Sequence, residues 1–169
     1  MDTLRDVSAP GERSRPHWLR RIALSILLVI VLLGATGVFG VRSRSVRVEG
    51  SGYTLTVTYP LSARAGLDVP WRARVHKDGG VNSDLTIAVS TDYFRMFETQ
   101  GFFPDADSAT NDGKFVYMTF KAPPPGQDFL VDYDAYIQPS AQLGKSADVR
   151  LIIDGKLILR ARIRTWLVP

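Results

Sequence analysis

Few side chains in this sequence can do acid, base or nucleophilic work, and they are scattered. The chain has two histidines and no cysteine, which rules out disulfides, an acyl anchor on cysteine and a thiolate metal site. His76 stands beside Lys77 and Asp78 at the end of an alternating apolar run. A histidine there reads as a solvated residue before a turn, with no local partner marking it as a base. No GxSxG, HExxH or phosphate-loop pattern occurs, so a hydrolytic site would have to be assembled from distant Asp and Ser residues. Asp105, Asp107, Asn111 and Asp112 precede Gly113 and carry the oxygen ligands calcium takes. As an EF-hand the spacing fails, because Ala109, Thr110 and Val116 stand where a ligand, Gly and Glu are needed. A polar loop with an Asn-Asp-Gly turn is expected instead. The expectation is a chain without catalytic residues, metal or cofactor, and not an enzyme.

Binding chemistry is easier to read. Arg160, Arg162 and Arg164 alternate with Leu159, Ala161 and Ile163, and Asp132 and Asp134 alternate with Val131, Tyr133 and Ala135. On strands, each charged set falls on one face. If those strands are neighbours, the two stripes pair across them. If they are not, the arginines form a basic face for lipid phosphates, a polyanionic wall polymer or an acidic partner. Arg72 and Arg74 make a smaller stripe of the same kind. Tyr93, Phe94, Met96, Phe97, Phe102 and Phe103 crowd into a segment, residues 91–113, that is long for a connection between strands. Either these rings plug one end of a core, or those left outside form a patch for a partner.

These groups must be positioned by two kinds of element. Residues 22–41 are twenty consecutive residues without a charged side chain. As a helix at about 1.5 Å per residue they cover about 30 Å, the thickness of bilayer hydrocarbon. Trp18, Arg20 and Arg21 just before them suit the headgroup level. Residues 1–21 mix Pro, Gly, Ser and charge without an apolar period and are expected to be a disordered cytoplasmic tail. Five arginines precede the apolar run, against Arg42, Arg44 and Arg47 soon after it. That bias places the N-terminus inside and the C-terminal region outside the cytoplasmic membrane. A cleaved signal peptide is the alternative, but the run exceeds the usual apolar core of about 7–15 residues, which favours an uncleaved anchor. Gly34, Gly37 and Gly40 form a small-residue stripe that could admit another helix.

After residue 41 the period becomes two. Tyr53, Leu55, Val57 and Tyr59 alternate with Thr, and Val69, Trp71, Ala73 and Val75 alternate with polar residues. Further strands follow around Leu85–Val89, Phe115–Phe120 and Phe129–Ile137. Asp154-Gly155 between two apolar runs predicts a tight hairpin, with 148–153 and 156–168 paired. About seven strands result, with residues 42–52 a linker or edge strand and 53–169 one all-β antiparallel domain. Residues 42–169 carry sixteen basic and fourteen acidic side chains of the chain's net +4, a balance that argues against a nucleic-acid partner.

The early Trp71, Tyr93-Phe94 after the next strand and the terminal hairpin resemble bacterial immunoglobulin-like domains of short single-pass membrane proteins. The resemblance implies a sandwich used as an adhesive or accessory module and carries no catalytic residues with it. The expected function is therefore an extracytoplasmic accessory protein that binds another membrane or envelope protein. A module for wall polysaccharide or polyanions is the alternative, and a hydrolase with a site hidden from sequence the second. The partner-surface candidates are Tyr93, Phe94, Phe97, Phe102, Phe103, Arg160, Arg162 and Arg164.

Overall fold

The computed structural model describes residues 17–35, 40–98 and 101–168. They fall in two units, residues 1–39 and 40–169.

The first unit is helix α1 (His17–Ala35), 19 residues with a mean hydropathy of 2.1 and no buried residue. It is long and apolar enough to cross a membrane, as a span or as a signal sequence. It begins earlier than the apolar run, so Trp18, Arg20 and Arg21 occupy its first turns. Arg is a good helix former whose stem can lie along apolar surface with its charge at the interface, so charge alone does not end a helix there. Of the tail, residues 1–16 lie outside the described residues. The glycine stripe does not form one helical face over its whole length. Gly34 is on α1 with open space beside it, Gly37 lies outside the described residues, and Gly40 stands in a bend before the first strand.

The second unit has two antiparallel sheets on one core. The first sheet runs β1 (Arg42–Gly50), β2 (Tyr53–Ala63), β3 (Asp68–Lys77), β8 (Phe129–Tyr136), β5 (Phe102–Phe103), with β11 (Trp166–Leu167) parallel to β2. The second runs β10 (Lys156–Arg164), β9 (Ser146–Ile153), β4 (Leu85–Ser90), β7 (Phe115–Phe120), β6 (Ser108–Asn111). The period-two pattern does what its physics requires. Leu55, Val57, Trp71, Ala73, Val75 and Val131 face inward from one sheet, and Ile87, Val89, Met118, Val149 and Leu151 from the other. Trp71, 1% exposed, packs edge-on to Tyr133 and tilted against Phe94.

The expected strand count is too low. Eleven strands occur among the described residues: the seven expected, β1 where a linker or edge strand was expected, and β5, β6 and β11, of two to four residues each. The stretch 42–52 is edge strand β1 with a turn at Ser51-Gly52, both at positive φ. The final hairpin turns at Asp154 (φ 50°) and Gly155 (φ 73°), the conformation Asp-Gly favours. Its second strand stops at Arg164, short of the expected 168. Thr165 is fully buried, its hydroxyl donating to the Pro60 carbonyl at 2.6 Å, and the chain then crosses to the other sheet as β11.

Candidate functional site

The aromatic segment divides. After β4 the chain makes one turn, α2 (Thr91–Phe94), that turns Tyr93 inward. Tyr93 is fully buried and its hydroxyl lies 2.8 Å from Thr165 Oγ1. The Thr165 proton goes to the Pro60 carbonyl, so Tyr93 donates and Thr165 accepts. Burial pushes the phenol's pKa up strongly. Phe97 is buried against Tyr93 and Tyr133, with ring centroids at 5.3 and 5.8 Å. Phe94 and Phe102 are half-buried, Phe102 stacked on Tyr133 at 4.5 Å. These four rings therefore belong to the core and its margin. Phe103, 79% exposed, is the ring that stands in solvent.

Phe103 does so because β5 stops under it. Pro104 has no N–H to continue the pairing with β8, and the chain leaves the first sheet for the second, where Asp107 N donates to Thr119 O at 2.9 Å. On the other side β7 ends at Phe120 and the chain turns through Pro123 and Pro124. Between these walls lies an open cleft of about 510 Å³. Phe120 and Phe129 line it with centroids 5.1 Å apart, and Asp105, Asp107, Asp128 and Asp132 reach it from two segments.

Two of the four carboxylates are held by cations on β3. Arg72 grips Asp132 with two hydrogen bonds, one of 3.0 Å from Nη2, and its pKa is raised by that contact. Asp128 accepts from Arg74 Nε at 2.9 Å and meets His76 Nδ1 at 2.6 Å. His76 beside it, aided by Arg74, holds the Asp128 carboxyl below the usual range, and the same hydrogen bond raises His76. Lys121 lies 3.4 Å from Asp107. The arrangement sets acceptors next to donors around apolar ring surface. His76, read as a lone solvated residue, is thus tied to a cleft carboxylate. Asn111 and Asp112 instead build the turn they were expected to make. Asn111 accepts from Gly113 N at 2.8 Å, and Asp112 from Lys114 N and Phe115 N at 2.8 and 2.7 Å.

The expected pairing of the last strand with Asp132 and Asp134 does not occur. β10 is an edge strand bonded to β9, whereas β8 belongs to the other sheet. Arg160 and Arg162 both meet Asp148 on β9, Arg162 Nε at 3.2 Å. Arg164 lies over the Trp166 ring at 3.6 Å. Asp132 pairs with Arg72, and Asp134 stands opposite Pro70. Sequence reasoning missed Asp128, Lys121 and Asp148. Of these Asp148 had a signal: counting back from the Asp154-Gly155 turn places it within one residue of Arg162.

The fold and site thus define a two-sheet antiparallel β domain, preceded by an apolar helix, with an aromatic and carboxylate cleft at its side. No family model matches this chain, and no curated protein matches it. Among solved structures, an alkylpurine DNA glycosylase (AlkC) of Pseudomonas fluorescens bound to DNA containing an abasic site analog is similar at a TM-score of 0.32 and 11% identity, over 63% of this chain. The match spans 28% of that glycosylase's length.

Two expectations are corrected on this finding. The chain was expected not to be an enzyme, and to have a membrane or envelope protein as partner with nucleic acid excluded. The similar structure is an enzyme on DNA, so neither the exclusions nor that partner assignment is kept. The likeness is too distant to give this chain an activity or a DNA ligand. The physical fault lay in the charge argument: a near-neutral sum says nothing of how charge is distributed, and three arginines share one face of β10.

Proposed function

We propose that the chain is a membrane-tethered immunoglobulin-like module, anchored by α1 with the β domain outside the cytoplasmic membrane, that binds wall polysaccharide in the cleft beneath Phe103. The observation that carries this reading is an exposed aromatic ring at the rim of a cleft of about 510 Å³ walled by four carboxylates. That volume lies within the range of small-ligand sites. A sugar ring presents an apolar face of C–H groups and an edge of hydroxyls. Phe103 and the proline rings suit the first. The second needs acceptors and donors side by side, and the Asp132–Arg72 and Asp128–Arg74 pairs supply them. The buried Trp71 and two sheets on a common core support the immunoglobulin-like reading. The arginine bias before the apolar run supports the orientation.

The test is retention of the full-length protein, in detergent, on insoluble wall polysaccharide. Phe103→Ala is expected to lose most retention. Leu143→Ala, which removes an equally exposed side chain outside the cleft, is expected to keep it. Equal retention by Phe103→Ala and Asp132→Asn would sink the reading.

A further inference from the structure

The outward side of the second sheet carries arginines at a regular interval. Arg160, Arg162 and Arg164 occupy alternate positions of β10, about 7 Å apart on an extended strand. Arg150 of β9 stands opposite Arg160. Among the described residues, Asp148 is the carboxylate that forms ion pairs with this set, and it serves both Arg160 and Arg162. One negative charge thus stands against four positive ones. This contrasts with β3, where Arg72 and Arg74 each have their own aspartate.

The stripe runs into a groove of about 490 Å³ lined by Ser90, Ser146, Asp148, Arg162 and Arg164. Ser146 is the cross-strand partner of Arg164. Ser90 Oγ accepts from Asp148 N at 3.0 Å, which leaves its proton free to donate. The groove therefore collects two guanidinium groups, two serine hydroxyls and the Asp148 carboxylate, and Arg162, though paired with Asp148, is 79% exposed along its side chain. Forked guanidinium donors beside hydroxyls match the oxygens of a phosphate.

We infer that this face binds a linear polyol-phosphate polymer, with one phosphodiester seated among Arg162, Arg164 and Ser146 and its neighbour against Arg160. The repeat favours a polymer over a single anion, because a chain of phosphates separated by a short polyol can meet successive arginines when extended. Guanidinium groups lie over two of the aromatic rings near the stripe, of which Trp166 stays 52% exposed. Arg150 sits 3.9 Å from the Phe115 centroid and Arg164 3.6 Å from that of Trp166. What the face offers at a fixed interval is charge. This site is separate from the cleft. A protein that holds polysaccharide but not polyol phosphate loses this inference and keeps the other.

The experiment measures binding of polyglycerol phosphate to the full-length protein in detergent, beside a single-stranded oligonucleotide with the same number of phosphates. Polyglycerol phosphate is expected to bind, and to bind less as salt rises. The Arg162→Gln, Arg164→Gln double variant is expected to weaken binding about tenfold or more with its melting temperature unchanged. The Arg44→Gln, Arg47→Gln double variant, an equal charge change at exposed positions of β1, is expected to bind as the parent does. Arg162→Gln alone gives a smaller loss in the same direction. No binding, equal binding by both arginine variants, or tighter binding of the oligonucleotide would each overturn the inference.

Discussion

Residues 91–98 and 101–107 belong to one aromatic run in the sequence and to two environments in space. In the first stretch α2 points Tyr93 into the core, Phe97 is buried just past it, and Tyr93 joins a hydrogen-bond chain through Thr165 to Pro60, residues far away in sequence. In the second, β5 pairs for two residues, Pro104 stops it, and Phe103 is left in water at the rim of the cleft. The rings are chemically alike, and what separates them is whether the topology brings another strand over them. Aromatic density in a sequence thus reports a need for burial, and an exposed ring becomes informative once most of its neighbours have found theirs.

Substitutions can break this contrast. Phe97→Ala should cost about 3–5 kcal/mol, the usual loss for a large buried ring, whereas Phe103→Ala should change stability by no more than about 0.5 kcal/mol. Chemical denaturation of the two variants checks this, and comparable losses would place both rings in the core. The buried half can also be struck from its far side. A Cβ at Gly144 would collide with the Thr165 carbonyl oxygen and lie 2.8 Å from Trp166 Cα. The backbone there has little room to yield, since Thr165 N donates to Lys145 O at 2.9 Å. Gly144→Ala should therefore cost about 2–3 kcal/mol by overpacking, read as a fall in denaturation midpoint. Tyr93→Phe is gentler: it deletes the donor to Thr165 while keeping the ring, and should cost about 1–2 kcal/mol. A neutral result would mean that the buried hydroxyl chain contributes nothing net.

The sheets were legible where strands are long enough to show alternation. β2, β3, β8 and the β9–β10 hairpin each display it, and Asp154-Gly155 names its own turn. β5, β6 and β11 were not legible, because two to four residues cannot carry a period. The arginine stripe on β10 was read correctly as a face, and its partner was misplaced. Side-chain alternation is local, but which sheet a strand joins depends on pairings between distant segments. The cleft was hidden for the same reason. Phe103, Lys121 and Asp128 share a wall only because β5 and β7 end beside each other.

The smallest effect expected is also the one that best separates the cleft from a passive surface. His76 and Asp128 are coupled at 2.6 Å, His76 above its ordinary value of 6.5 and Asp128 below its ordinary 3.8. A histidine with a raised folded pKa contributes stability that is full below 6.5 and is lost as pH climbs through the raised value. An aspartate with a depressed one contributes stability that is present above 3.8 and is lost as pH falls through the depressed value. Both contributions are therefore in force between these ordinary values, and the neutral side of that window reports on His76. Both partners are solvated enough that salt should weaken the effect. Melting temperature followed from about pH 5 to about pH 8 at low salt should decline on the neutral limb, and His76→Gln should flatten that limb. Coincident profiles for parent and variant would mean that His76 does not organise the cleft carboxylate. If they diverge, the polysaccharide retention of the parent should follow the same limb, because Asp128 is left with Arg74 as its charged partner once His76 loses its proton.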